Sequence, residues 1–307
     1  MTVTVLAGGV GAARYLAGLV QIVEPASVTA VVNTADDTWM HGLRICPDLD
    51  TVTYTLAGAG NLETGWGLAG ETWQAMDMLR RYDPERAWFS LGDRDLGTHL
   101  FRTARLGEGA GLAQVTAEIT RAWGIGIRIL PVTDDPVATR LELMTGEEIA
   151  FQDYFVRRQH AVPVRSVRLD GIESAEPAAG VLQTLRESAR VVIAPSNPIV
   201  SIGPVLGVGG IADELRARRD DVVAISPIVA GAALKGPADR MLAELGHESS
   251  VVGVARLYAE IASVLVVDTA DAELASAVED TGMRCVVAPT VMHGPYEAAA
   301  LAAVSLR

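Results

Sequence analysis

The amino-acid sequence predicts an α/β fold: a Rossmann-like parallel sheet with helices on both faces and a small β-rich insertion. Three observations predict it. Short apolar runs rich in Val, Ile and Ala alternate with longer amphipathic segments through most of the 307 residues, the rhythm of strand–helix–strand units in a parallel sheet. The runs are almost wholly apolar, as strands buried on both faces are. Between about residues 125 and 175 the rhythm changes to strand-like runs separated by turn signals.

In chain order, strands are expected at Thr2–Leu6, Val28–Val32, Ala87–Ser90, Arg190–Ala194, Val222–Ser226, Val264–Asp268 and Arg284–Ala288. Amphipathic spacing predicts helices at Ala12–Ile22, Glu71–Tyr82, Leu112–Ala122, Ile211–Arg218, Ala238–Leu245, Gly253–Ile261 and Tyr296–Ser305. The middle offers Ile127–Leu130, Thr139–Thr145, Ile149–Phe155 and Val164–Leu169 as strands, punctuated by Asp134-Asp135-Pro136, Thr145-Gly146 and Asp170-Gly171. The expected organisation is therefore a Rossmann-like domain from residues 1–124 and 176–307, with 125–175 inserted as a lid or dimerisation element.

Composition narrows the function. Half the residues are hydrophobic and the net charge is −13, which suits a globular protein and disfavours a broad nucleic-acid surface. No apolar run is long enough to span a bilayer and no basic region precedes the first strand, so a cytoplasmic protein without membrane contact is expected. The two cysteines, Cys46 and Cys285, are expected to be reduced.

Four motifs follow predicted strands, where ligands gather in parallel α/β sheets. Gly8-Gly9-Val10-Gly11 joins the first strand to the first helix. Such a turn lets backbone and helix N-terminus meet a phosphate; the plainer reading is a tight turn. The segment Asn33 to Asp50 carries Asp36, Asp37, Asp48 and Asp50 beside Asn33 and His41. On an extended chain Asp48 and Asp50 share one face, where they can hold Mg²⁺ through oxygen or take a proton from an attacking hydroxyl. The plainer reading is capping of a helix through Thr51–Leu56. Gly92-Asp93-Arg94-Asp95 places a guanidinium between two acids, for an anion or a planar ring; a local salt bridge with Asp95 as cap is the alternative. Ser196 and Asn197 sit on a proline-stiffened loop able to read a base or hold a phosphate, or simply to turn. A fifth loop, Ser226–Pro237, presents Lys235, which could pair with a phosphate, although an exposed surface position is the simplest expectation. His41, His99 and His293 lack zinc-ligand spacing, and Trp39, Trp66, Trp73 and Trp88 are expected mostly in the core.

Together and in this order, these motifs resemble the 2-phospho-L-lactate transferase family, whose actinobacterial members are phosphoenolpyruvate transferases of deazaflavin coenzyme F-420 biosynthesis. The matching pieces are Ala7–Arg14, Val31–Trp39, Ile45–Thr51, Leu91–Asp95, Ala194–Pro198 and Ser226–Ile228, and Asp36–Met40 and Arg44–Asp48 look most like the actinobacterial branch. The resemblance implies a reaction. The ribityl hydroxyl of Fo, an 8-hydroxy-5-deazaflavin, attacks the phosphorus distal to guanosine in a guanosine diphosphate ester of a three-carbon acid. GMP leaves, and an enolpyruvyl donor gives dehydro-F-420-0; a lactyl donor is the alternative. The resemblance also implies Mg²⁺ and a homodimer. It assigns Asp50 and Arg94 to Fo, with Asp50 orienting or deprotonating the hydroxyl. Asp48, with Asp37, becomes the metal ligand, while Gly8, Gly9, Gly11 and Asn33 hold the diphosphate and Ser196 and Asn197 contact guanosine. Two other classes compete. A nucleotide-sugar-binding regulator shares the glycine turn and Asp-Asp, but here Thr38-Trp39 follows instead of Gly-Gly-Ser. A nicotinamide oxidoreductase requires a third glycine and an acid where Asn33 stands.

Overall fold

The computed structural model describes residues 1–307. Seven parallel strands form one sheet: β1 (Val3–Ala7), β2 (Val28–Val32), β3 (Arg128–Pro131), β4 (Arg190–Ile193), β5 (Val222–Ile225), β6 (Val264–Val267) and β7 (Arg284–Val287). Their spatial order is β7-β6-β5-β4-β1-β2-β3, the doubly wound arrangement in which the chain reverses direction across the sheet beside β1. Val3 pairs with Val28 on one side and Arg190 on the other.

The apolar runs are strands because alternate residues bury against opposite helical layers. Val3, Val5, Ala7, Val28, Ala30, Val32, Val192 and Val223 join one core, and Leu6, Val31, Val191, Ile193 and Ala224 join the other. On the first face lie α1 (Gly9–Leu19) and α2 (Pro47–Leu56), with the C-terminal helix Pro295–Ser305 against α1. Tyr15 and Ser305 join their hydroxyls there at 2.7 Å. Thr4, the one polar residue inside β1, satisfies its hydroxyl against Thr184 and Ser188 on the other face. No single helix is long and apolar enough to cross a membrane.

Three expectations are corrected. Ala87–Ser90 is not a strand: Ala87 and Leu91 plug a small separate core with Ile45 and Met76. The remaining place in the sheet belongs to β3, which covers most of Ile127–Leu130 and pairs with β2, so this run is a sheet edge and not part of the insertion. Ile149–Phe155 is extended only over Glu148–Ala150; Asp153–Arg157 winds into a π-helical turn that brings Phe151 and Phe155 into a stack at 5.5 Å. The β-rich part is thus a three-stranded antiparallel sheet of Glu148–Ala150, Ala138–Leu143 and Val164–Asp170, whose core includes Val200 and Met241 of the main body.

The segment after β2 forms a hairpin, Thr38–Met40 with Leu43–Ile45. Its turn residues His41 and Gly42 have φ of 51° and 79°, the positive pair that a two-residue hairpin needs. Two further helices, α3 (Gln74–Tyr82) and α4 (Asp95–Gly107), complete the wall beyond it.

Candidate active site

The loops leaving β1, β2 and β4 meet at the carboxyl edge of the sheet, at the reversal of strand order. Gly9 opens α1 and its N–H donates to Asp48 Oδ1 at 2.7 Å. A Cβ on Gly8 would stand 2.6 Å from Ser201 Cβ, and one on Gly11 would stand 2.2 Å from Pro195 O. Packing of α1 on the β4 loop therefore already requires these two glycines. Ser196 donates its hydroxyl to Gly8 O at 2.8 Å. Asn197 Oδ1 accepts the Ile199 and Val200 amides and starts the turn Pro198–Ile202. Ser196 thus ties the β4 loop to the glycine turn, and Asn197 fixes the loop's own turn.

Asn33 organises the acids. Its buried amide donates to Asp36 Oδ1 at 3.2 Å and to Asp48 Oδ2 at 3.0 Å, while its carbonyl accepts the Ala35 N–H. Burial, then repulsion from Asp48 and Asp37, pushes the Asp36 carboxyl well above the usual carboxylate range. Burial pushes Asp48 up to about 6, against the hydrogen bonds from Asn33 and Gly9. Asp37 turns away to Arg44, at 3.0 Å, and burial still raises it to about 7. Its Oδ1 is buried without a partner.

The expectation that Asp48 and Asp50 share a face of an extended segment is corrected. Pro47, placed where a missing N–H costs nothing, starts α2, so both acids lie in its first turn and diverge by roughly 200° around the helix. Asp48 faces the glycine turn. Asp50 faces α4, where Arg102 grips both its oxygens, Nη1 to Oδ2 at 3.1 Å and Nη2 to Oδ1. His99 Nδ1 lies 3.7 Å from Asp50 and His99 Nε2 lies 3.3 Å from Asp95, which also accepts the Tyr54 hydroxyl at 2.5 Å. Burial raises the Asp95 carboxyl, but the adjoining His99 ring and the hydrogen bond from Tyr54 outweigh it and hold the group below the usual range.

Two clusters of acids could hold a metal ion. Ligand atoms of Asp50, Asp95 and His99 lie within 4.8 Å of one another, near enough to hold an ion. Arg102 already neutralises Asp50, however, and an imidazole suits a hard cation poorly. Asp36 and Asp48 offer oxygen alone, share one amide, and have no basic side chain in contact. A divalent cation between them removes the repulsion that raises their protonation, so this pair fits Mg²⁺ better.

The third motif divides its labour. Asp93 caps α3 through the Gln74 and Ala75 amides, both at 3.0 Å, and Glu71 returns the favour to the Arg94 and Asp95 amides at the start of α4. The anticipated Asp–Arg94 salt bridge is absent; Arg94 is exposed and donates to Ala69 O at 2.7 Å. Asp95, Glu71, Trp66 and Trp73 line a narrow cleft. Trp39, Trp66 and Trp73 are 58 %, 51 % and 38 % exposed, so the expectation of mostly core tryptophans is corrected. A larger cleft of about 410 Å³ lies at the hairpin tip between Trp39 and Trp88 and contains none of the predicted site residues.

Arg102, Tyr54 and the pairing of Asp36 with Asp48 escape sequence reasoning. One signal was available: Asp95, His99 and Arg102 fall at i, i+4 and i+7, one face of a helix.

The profile of the family described as 2-phospho-L-lactate transferase CofD matches residues 3–290. A protein of Streptomyces griseus named phosphoenolpyruvate transferase is 43% identical, aligned over 100% of this chain and 98% of its own. A protein of the same name from Mycobacterium avium is 41% identical, with 84% of each chain covered. A crystal structure of a UPF0052 family member from Bacillus halodurans superposes with a TM-score of 0.62 at 17% identity, covering 100% of this chain and 99% of that one, and so shares the fold. With glycine turn, acid cluster and β4 loop assembled at the switch point of that shared fold, this chain belongs to the 2-phospho-L-lactate transferase CofD family.

Proposed function

We propose that this transferase moves the phosphoenolpyruvyl group from enolpyruvyl-diphospho-guanosine to the ribityl hydroxyl of Fo, giving dehydro-F-420-0 and GMP. The observation that carries the reading is the split acid cluster, with Asp48 and Asp36 at the α1 N-terminus, Asp95 lining the tryptophan cleft and Asp50 behind it across His99. One acid pair suits a metal-bound diphosphate and the other an alcohol. The names of the relatives favour enolpyruvyl over lactyl as the donor group.

In this reading the diphosphate lies along Gly8, Gly9 and Gly11, with Ser196 and Asn197 holding the loop that meets guanosine. Asp48 and Asp36, rather than Asp48 and Asp37, hold Mg²⁺. When bound, Mg²⁺ neutralises diphosphate charge and stabilises the leaving GMP. Asn33 keeps both carboxylates aimed at one point. Trp66 or Trp73 stacks on the deazaflavin and Arg94 binds its polar edge. Asp50, fixed by Arg102, accepts the hydrogen bond of the ribityl hydroxyl. The new bond joins that oxygen to the distal phosphorus, the bridging P–O bond breaks toward GMP, and the hydroxyl proton passes to Asp50 late in the step. The working state is a cytoplasmic homodimer.

The test supplies Fo, Mg²⁺, GTP and a guanylyltransferase with phosphoenolpyruvate, 2-phospholactate or 3-phosphoglycerate, and detects the deazaflavin product by mass. Product from phosphoenolpyruvate, lost in Asp50→Ala with the fold intact, is the expected result. Unmodified Fo with all three acids, once donor formation is verified, rejects the reading. Near-normal turnover by Asp50→Ala removes that residue from the mechanism.

A further inference from the structure

Of the 25 basic side chains, a single one is lysine, Lys235. It follows a small hairpin, Ile228–Val229 with Ala232–Ala233, on the loop leaving β5. The sequence predicts an exposed surface lysine there, with phosphate pairing as the other possibility. Lys235 is exposed, and its loop carries it back to the glycine turn.

Lys235 Nζ donates to Thr64 O at 3.3 Å. A Cβ on Gly65 would stand 3.0 Å from Lys235 Nζ and 3.0 Å from Val10 Cγ1. The ammonium and the first turn of α1 therefore flank the same glycine. Arg14, one turn further along α1, makes only a 3.4 Å contact to Met292 O. Neither cation has a carboxylate within salt-bridge distance, although the chain holds 38 acids. Partial burial, then the neighbouring Arg14 charge, holds the Lys235 ammonium below the ordinary lysine range. Two adjoining cations without an acid cost free energy that a shared anion removes. Asp48 occupies the α1 N-terminus at Gly9 and Lys235 lies beside the first turn of that helix, so an anion held at the helix end would meet a cationic rim there.

We infer that Lys235 and Arg14 form the cationic side of the diphosphate subsite, contacting the phosphoryl oxygens of the donor as Asp48 serves the metal. Identifying the anion as a nucleoside diphosphate rests on the proposed transferase reading. The rim itself rests on the placement of the two side chains.

The lone lysine makes the test specific, because these 307 residues carry two primary amines, Lys235 and the Met1 α-amine. An acetylating reagent is applied with Mg²⁺ present, and both positions are followed by peptide mass spectrometry. Saturating GDP or inorganic pyrophosphate should slow labelling of Lys235 about tenfold and leave Met1 unchanged, with GMP protecting far less. In direct binding, Lys235→Ala should weaken GDP by about 10- to 100-fold while leaving GMP within about twofold, because a charged phosphate contact is lost. Lys235→Arg should restore most of the affinity for GDP. Undiminished labelling under saturating GDP, or wild-type GDP affinity in Lys235→Ala, overturns the inference and leaves the transferase reading standing. If the wild-type protein binds no GDP and leaves Fo unmodified, the transferase reading falls separately. Pyrophosphate then decides the rim by itself: protection keeps it, and unchanged labelling rejects it.

Discussion

Replacing Arg102 by Met tests how the acceptor side of the site is held. The guanidinium is 2 % exposed and meets both Asp50 oxygens and the Arg44 carbonyl, at 3.3 Å. Met fills much of the volume and supplies no charge. Asp50, itself buried, is then stranded as an anion beside Asp37 and Cys46. Removing one partner of a buried pair costs about 3–5 kcal/mol, a fifth or more of a typical stability of about 5–15 kcal/mol. Urea denaturation at pH 7.5 should show this loss as a lower midpoint at unchanged slope. Adding Asp50→Asn to Arg102→Met removes the stranded charge, and more than half the loss should return. The double variant should fold, bind GDP and fail to modify Fo. A cost below about 1 kcal/mol for Arg102→Met, or no recovery in the double variant, refutes the claim that this pair is the structural anchor of Asp50.

Three further outcomes are expected. In the metal-free fold Asp48 and Asp37 hold protons to about 6 and about 7, against 3.8 for an unperturbed carboxyl. The folded state thus binds more protons than the unfolded state in that window, and stability falls as pH rises from about 4 to about 7. Thermal melts in chelator should show this fall, Asp48→Asn should flatten it, and Mg²⁺ should raise the melting temperature most at the alkaline end; a wild-type curve that stays level or rises contradicts the assignment. Gly11→Ala drives a methyl to 2.2 Å from Pro195 O, and the forced shift of α1 should cost about 1–3 kcal/mol in calorimetry. Asp93→Ala removes the cap of α3, so hydrogen exchange at Gln74 and Ala75 should accelerate, while protection equal to wild type would mean that Asp93 is not the cap.

Legibility followed the range of the interactions involved. Val28–Val32 and Leu112–Ala122 are elements with the predicted bounds, because burial on two faces or on one helical stripe is written into local periodicity. Ala87–Ser90 misled because a short apolar run plugs a core as readily as it joins a sheet. The hairpin at His41-Gly42 was local in cause, yet its turn residues are an uncommon pair for positive φ.

The amino-acid sequence by itself determined the α/β class and, through several motifs held in order, the family. Each is a property of short segments and their succession. Tertiary structure alone decided how the acids are divided. Pro47 made Asp48 and Asp50 helical neighbours facing opposite ways, Asn33 matched Asp48 with Asp36, and α4 brought Arg102 to Asp50 across 52 residues. Lys235 reached Thr64 across 171. Charge pairing depends on distances through space, and chain spacing leaves those undetermined until helices and loops have packed.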